Sequence, residues 1–546
     1  MSYIVSSELA YAHPGGDLLF SNVSFRITAG RKVGVVGANG IGKSTLFGVL
    51  SGALAPEQGE ANVGGRLAYM PQNVGVTGEP RPVRDMLLSL APGALRSAGE
   101  RMASAERRLS EDDADAGMDL AVAIGDWSEL GGYELQGQWD AACRRIVRSS
   151  FAELAERPAT TLSGGERKRL VLDLLFASDA DVLLLDEPDN FLDVPAKRAL
   201  EQQIATSKKT VVVISHDREL LAAAVSAILT IEGDGAWMHQ GSYETYREAR
   251  VERQRKLGVA VKRWKDEERR LFSLMKTFKQ RARYSSDWAK KADAAETRWR
   301  RFAAGGPPPA PVVDQQIRVR MRGADSARKA LVLDDVAVDG LVRPFSEEVH
   351  LGERVGLIGP NGGGKTQLIR AFAGAPGAHG GEVRIGNRVS VGSFTQLNVR
   401  DDFAGRRALD IVVERLGTIE RAMGALARYG LADAAQRSHD VLSGGQKARL
   451  EILCLELEGH NLLLLDEPTD NLDIDSCEAL EAALDGFEGT FVAVSHDRAF
   501  LRRMDRFLMV LHDGTVLALP DYDSASQALL TPDRATRIRL AKTLTT

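Results

Sequence analysis

The chain has 546 residues, 44% of them hydrophobic and 27% charged, with a formal net charge of −5. That length exceeds one ordinary core and predicts two or three globular domains. The acidic balance excludes a protein that coats nucleic acid by bulk charge, though not a local basic patch.

The first predicted element that carries chemistry is an apolar strand, Val33 to Val36. It runs into Gly37-Ala38-Asn39-Gly40-Ile41-Gly42-Lys43-Ser44-Thr45 and then into a helix. Glycines at this spacing let the backbone curl so that its N–H groups point at phosphates. Lys43 is expected to reach the β- and γ-phosphates of ATP, and Ser44 to hold Mg2+. Further on, about 85–150, a charged, Ala-rich stretch reads as helical. It is either a solvated hairpin or an arm that contacts a partner, and the arm is the preferred reading. A Leu-Ser-Gly-Gly-Glu motif follows, with Ser163, Gly164 and Gly165. The next apolar strand ends in Asp186-Glu187, where Asp186 can hold Mg2+ through water and Glu187 can polarise the attacking water. His216 follows the strand Val211 to Ile214, 29 positions after Glu187, and is expected to sense the γ-phosphate.

After Gly241-Ser242-Tyr243 the sequence turns strongly charged until GGPPPAP at 305–311. Leu257, Val261, Trp264, Leu271, Met275 and Phe278 form one heptad seam, and Trp288, Ala292, Ala295, Trp299 and Phe302 another. Two helices folded back as an antiparallel hairpin are predicted, loosely packed where Glu268 interrupts the first seam. From 262 to 302 the segment holds fourteen Lys or Arg against six Asp or Glu. Phe278, Tyr284 and Trp288 cluster at its turn. Cations beside stackable rings are an RNA-binding combination, so the tip around Lys279–Lys291 is the expected RNA contact. Trp264, Trp288 and Trp299 are read as packing the seam.

The second half then repeats the first. Gly359, Asn361, Gly362, Gly364, Lys365 and Thr366 restate the phosphate loop. Ser163 and Ser443, Asp186 and Asp466, and His216 and His496 are each 280 positions apart, and chance does not hold three motifs to one offset. Ser443, Gly444, Gly445, Asp466, Glu467 and His496 therefore inherit the roles given above, with Thr366 and Asp466 facing the metal. The distance from Gln72 to Ser163 is 91 positions and from Gln396 to Ser443 it is 47, so the first half carries 44 extra residues. A mildly basic tail closes the chain. The predicted segments are 1–240, 241–320, 321–520 and 521–546. Cys143, Cys454 and Cys477 stand far apart, which suits a reducing cytoplasm. The first residues lack a signal-peptide pattern, and no run of about 18 apolar residues occurs, so no membrane span is expected.

Five motifs in each half resemble the ATP-binding cassette superfamily. The resemblance implies an α/β fold of two P-loop nucleotide-binding domains joined by an α-helical hairpin, an antiparallel coiled coil. It implies an ATPase, with Gln72 and Gln396 as Q-loop residues serving metal and catalysis, and Tyr11 as the aromatic stacking on adenine. It also implies that each signature completes the other half's site: Lys43 and Glu187 with Ser443–Gly445, and Lys365 and Glu467 with Ser163–Gly165. Two departures stand out. The second half has no aromatic matching Tyr11, and Asp189 and Phe191 replace Thr469 and Asn471, which predicts unequal sites. Both glutamates are present, so both sites are expected to hydrolyse.

Two cassettes joined by a basic rod, with Gly-Ser-Tyr-Glu-Thr-Tyr at 241–246 leading into it, resemble the ABC-F family. That resemblance implies a cytoplasmic monomer, closing on itself, whose partner is the ribosome, with rRNA and tRNA near the exit site and peptidyl-transferase centre, and neither DNA nor a membrane. The extra segment is similar to the arm by which throttle members of the family contact the ribosomal stalk. A translation factor is the preferred task, and an antibiotic-resistance protein displacing ribosome-targeting drugs is the alternative. The ATPase subunit of an importer and a DNA-repair cassette protein are weaker rivals.

Overall fold

The computed structural model describes residues 2–16, 18–74, 81–110, 113, 115–233, 235–284, 288–312, 328–375, 379–394, 401–470, 472–531 and 533–542. The frame of each half is a six-stranded sheet. In the first half its order is Leu67–Met70, Val182–Asp186, Thr210–Ile214, Lys32–Val36, Ala227–Glu232, Gly235–His239. In the second it is Val391–Phe394, Leu462–Asp466, Thr490–Val494, Arg354–Ile358, Arg506–Val510, Val516–Leu519. All neighbours are parallel except the last pair of each sheet. The central strands are near-continuous Val, Leu and Ile, as a sheet covered on both faces requires, and every residue of Val182–Asp186 and Leu462–Asp466 is buried. A smaller antiparallel sheet of three strands packs on each frame, with Tyr3–Ala12 and Lys329–Val338 as the central strands. Apolar clusters fill both faces of each frame. The fold is thus α/β and doubled, as the motifs predicted.

This topology positions the chemistry. In open α/β sheets ligands bind beyond the carboxyl ends of the strands. Here Lys32–Val36 lies next to Thr210–Ile214, which lies next to Val182–Asp186. Gly37, Asp186 and His216 therefore leave the same edge side by side.

The extra residues of the first half build the helices Gly93–Ser110, Ala116–Glu129 and Gly132–Ile146. Matching backbone bridges, Pro82 to Pro158 and Arg407 to Ser438, bracket this segment and its shorter counterpart. Its base is welded into the cassette, because Trp127, Trp139 and Phe151 form one buried aromatic run. Gly132 is required there, since a Cβ would lie 2.1 Å from the Trp127 ring. The far end leaves Leu109, Met118 and Val122 exposed.

The linker is a helix of 40 residues, Tyr243–Ala282, folded against Ala289–Ala304. At 1.5 Å per residue the longer helix reaches about 60 Å. Its seam is that of the heptads: Leu271, Met275, Ala292 and Ala295 are buried, and Trp264 stacks on Phe302, Phe272 on Trp299 and Phe278 on Trp288. The expected weak point at Glu268 is bridged, because its carboxylate accepts from the Trp299 indole N–H at 3.0 Å. A polar residue on the seam has acquired the partner that burial demands.

Candidate active sites at the cassette interface

Both phosphate loops are curled by glycine. Gly37, Gly40 and Gly42 have φ of 156°, 81° and 103°, and Gly359, Gly362 and Gly364 have 148°, 74° and 87°. A Cβ on Gly37 would sit 2.5 Å from the Ile231 carbonyl, and one on Gly359 2.5 Å from that of Val510. Each loop opens a helix, Lys43–Leu50 or Lys365–Phe372, whose free N–H groups and dipole favour an anion. Thr45 lies in the first turn of the former. The Lys43 amine bends back to the carbonyls of Gly37 and Ala38 at 2.8 and 3.1 Å, and Lys365 does the same to Gly359 and Pro360. Burial lowers both amine pKa values, against nearby Glu and Asp carboxylates. Two desolvated cations at helix starts are well matched to phosphate.

Asp186 and Asp466 stand beneath these loops, both buried. Burial raises their pKa, while the hydroxyls of Ser44 and Thr366 respectively oppose the rise. Both oxygens of Asp186 and one oxygen of Asp466 lack a partner in full hydrogen-bond geometry. Orphaned buried carboxylate oxygens beside a loop hydroxyl are the donor set that Mg2+ prefers.

Glu187 and Glu467 share a left-handed backbone, φ 48° and 49°, uncommon outside glycine. Each is pinned by its N–H to the neighbouring strand, at Ile214 or Val494, at 2.9 Å. The Glu187 carboxylate accepts from Gln72 and Asn190, both at 2.6 Å, and Lys168 donates to its main-chain carbonyl. Glu467 instead accepts from the His496 backbone N–H at 3.1 Å. Burial raises both carboxyls, Glu467 to about 8 with Asp470 adding to the effect. His216 Nε2 lies 3.8 Å from Glu187 and His496 Nε2 3.5 Å from Glu467. Burial drives His216 down to about 3 and His496 well below the usual range, so both imidazoles are neutral near pH 7.

The halves meet head to tail. Ser163 caps the helix Gly164–Ala177 in a capping box with Glu166, and Ser443 caps Gly444–Glu458 with Gln446. Ser163, Gly164 and Gly165 line one cavity of about 390 Å3 with Gly362–Thr366, Asp466, Glu467 and His496, within the range of small-ligand sites. Across it Asn361 donates to the Phe191 carbonyl at 2.7 Å. On the other side the Asn39 N–H donates to Asp473 at 3.0 Å. Gly445 of the second signature lies next to Leu472 and Ser476, on the segment that carries Asp473. Gln396 and Asn471 lie outside the described residues.

Tyr11, expected from the resemblance to stack on adenine, is largely buried, with its ring tilted against that of Phe20. It is 8% exposed, paired with Phe20 across the small sheet, and its counterpart in the other half is the core residue Val338, paired with Val342. The side chains that reach the phosphate-loop glycines at this edge are Leu19 and Phe20, and Leu341 and Val342. Leu341 also lines the cavity. Replacing Leu341 by Ser is expected to raise the KM for ATP about fivefold, from about 1 kcal/mol of lost apolar contact. Steady-state hydrolysis over a range of ATP concentrations checks this, and an unchanged KM places the base elsewhere.

Sequence reasoning also missed the seal between the cassettes. Arg218 grips Glu481 with two hydrogen bonds, while Arg498 reaches Glu201 and, at 3.3 Å, Asp217. Arg502 pairs with Glu219 at 3.0 Å. The signal was present: Arg218 and Arg498, like Glu201 and Glu481, obey the 280-residue offset.

Comparison with known proteins agrees with this geometry. The ABC transporter family model matches residues 20–190 and 342–470. An "Antibiotic resistance protein" of Mycobacteroides abscessus is 41% identical, over 94% of this chain and 98% of its own. The tylosin resistance ATP-binding protein TlrC of Streptomyces fradiae is 31% identical over 91% and 95%. The energy-dependent translational throttle protein EttA of Mycobacterium tuberculosis is 29% identical over 90% and 88%. An archaeal ribosome recycling factor, solved in complex with a ribosomal stalk protein, shares the fold with TM-score 0.59 and 19% identity, over 97% of this chain and 94% of its own. Among the described residues no helix is long and apolar enough to cross a membrane. The chain belongs to the ABC-F family of tandem-cassette proteins and is an ATP-hydrolysing enzyme.

Proposed function

We propose that this ATPase binds the ribosome in its closed, ATP-bound state and uses the linker hairpin to act near the tRNA exit site and the peptidyl-transferase centre. The tip of the hairpin carries this reading. Trp288 lies between Arg281, 4.9 Å from the ring centre, and Lys291, 4.5 Å from it, and Tyr284 beside them is 91% exposed. Phe278 packs on the same ring. Cation–π pairs keep the arginine and lysine beside a rigid ring, and phosphates and unstacked bases are their natural partners. The protein acts as a cytoplasmic monomer, with neither DNA nor a membrane as partner.

In each composite site the loop N–H groups and Lys43 or Lys365 hold the phosphates, and the opposite signature, Ser443–Gly445 or Ser163–Gly165, covers the γ-phosphate. Ser44 and Asp186, or Thr366 and Asp466, together with Gln72 or Gln396, would hold Mg2+. When bound, Mg2+ neutralises charge on the phosphate oxygens. Glu187 and Glu467 orient water and accept its proton. Neutral His216 and His496 contact the γ-phosphate. Neither half surrounds the nucleotide alone, so ATP closes the cassettes and hydrolysis releases them.

A second reading of the task, ribosomal protection against antibiotics, is favoured by the 41% identity to the mycobacterial protein named for resistance. The helical segment Gly93–Glu129 with its exposed apolar end favours a factor that contacts a partner near the exit site. Both tasks use the same closed state. The test is co-sedimentation of the Glu187→Gln, Glu467→Gln variant with ribosomes. ATP should drive it into the pellet, and its staying in the supernatant while binding ATP refutes a ribosomal partner. Arg281→Glu with Lys291→Glu should weaken that binding about tenfold or more and flatten its salt dependence. A drug-susceptibility panel on a deletion strain separates the tasks: lost tolerance at normal growth means protection, and slowed growth without it means a translation factor.

A further inference from the structure

The two sites differ in what the opposite cassette places beside the histidine. Lys197, on the helix Val194–Thr206, is 8% exposed and lines the second site's cavity. Its Nζ donates to the main-chain carbonyl of His496 at 3.1 Å and pairs with Asp217 at 3.1 Å. Asp189, also buried in the first cassette, lines the same cavity. The His496 N–H in turn donates to Glu467. A single residue's backbone therefore links a cation of one cassette to the carboxylate of the other.

The first site is built differently. The positions 280 residues after Asp189 and Lys197 are Thr469 and Cys477. The Cys477 sulfur faces the carbonyls of Thr469 and Leu472 of its own cassette, at 3.7 and 3.8 Å, and burial keeps the thiol protonated. Glu187 takes its orientation from Gln72 and Asn190, both of its own cassette.

We propose that Lys197 is a positioning residue acting in trans at the second ATP site, fixing the His496 main chain and through it Glu467 only while the cassettes are closed. Among the described residues, Lys197 reaches the second site from the opposite cassette, whereas Gln72 and Asn190 reach Glu187 from its own. This rests on the reading that Glu467 and His496 serve the second site. A lysine that only holds its own cassette together would use the ion pair with Asp217, and one that only braces the interface would use the His496 carbonyl without affecting Glu467, so the test must separate site from scaffold.

ATP hydrolysis is measured for Lys197→Met in two backgrounds, Glu187→Gln, where the second site turns over, and Glu467→Gln, where the first does. In the Glu187→Gln background kcat should fall about tenfold with KM for ATP little changed, and Lys197→Arg should restore most of it. The fall in the Glu467→Gln background should be clearly smaller. Equal losses in both backgrounds, no loss in the first, or a raised KM at constant kcat each overturn the proposal. If Glu467→Gln alone leaves wild-type turnover intact, the assignment of Glu467 has failed instead. If either glutamine alone silences both sites, Lys197→Met is read in the otherwise unchanged chain. There a fall in kcat at constant KM, restored by arginine, supports the proposal, and any other pattern overturns it.

Discussion

Glutamine at both Glu187 and Glu467 lowers steady-state ATP hydrolysis by a factor of about 10²–10⁴, the usual worth of a positioned proton acceptor. At about 1.4 kcal/mol per tenfold this is about 3–6 kcal/mol of barrier at each centre. The geometry sets the expectation. Both carboxylates are buried and held by a strained, left-handed backbone, and both lie within 4 Å of a neutral imidazole. Burial brings the Glu467 carboxyl to about 8, close to the pH at which a general base works best. Glutamine keeps the shape and the hydrogen-bond acceptor but takes no proton, so ATP binding survives. Phosphate release measures the first quantity and retention of labelled ATP the second. A double variant that keeps about a tenth of wild-type turnover moves the proton to another group.

Removing the cation from the seal has the second large effect. Arg498 is 1% exposed, and Glu201, Asp217 and Glu219 of the opposite cassette surround it. Arg498→Met leaves those carboxylates buried with less counter-charge, a loss of about 3–5 kcal/mol for a broken buried pair. The arginine and its partners belong to different cassettes, so the cost falls on closure and not on either core. In the hydrolysis-deficient background, ATP-driven compaction followed by small-angle scattering should require at least about a hundredfold more ATP, since each 1.4 kcal/mol is tenfold. Lysine recovers only part, lacking the planar fork. Closure at the wild-type ATP concentration removes the seal from the mechanism.

Local motifs made most of the frame legible in advance. A phosphate loop needs glycines, a lysine and a hydroxyl in consecutive positions, and the repeat at a fixed offset announced two cassettes. The hairpin was legible for the same reason, since heptads are local. Glu268 was read as a flaw because its partner, Trp299, is 31 residues away on another helix. Tyr11 was placed on the base by resemblance, whereas only the strand register shows that it opposes Phe20 within the core. The seal between cassettes joins residues nearly 300 apart, such as Glu201 and Arg498. No short-range pattern carries that pairing, although the repeat doubled each partner. The inequality of the sites was visible at Asp189 and Phe191. Its physical content, a lysine on one side and a thiol on the other, needed the packed interface.

The lower end of the linker has a mechanical consequence. The long helix grows directly out of the first cassette, with Tyr246 buried against its sheet. Yet Arg247 and Arg250 on the same turns pair with Glu478 and Asp475 of the second cassette, at 2.8 and 3.1 Å. The rod is therefore clamped by both jaws close to its fulcrum. Any change in their separation becomes a tilt, and a tilt of about 5° at the base carries a tip about 60 Å away through about 5 Å. That is close to the rise of one helical turn, and the ion pairs that tie the rod itself to the second cassette are surface pairs worth about 0–1 kcal/mol each. Gearing of this kind lets an event at a phosphate be felt at the far end of the hairpin with no rearrangement inside the rod.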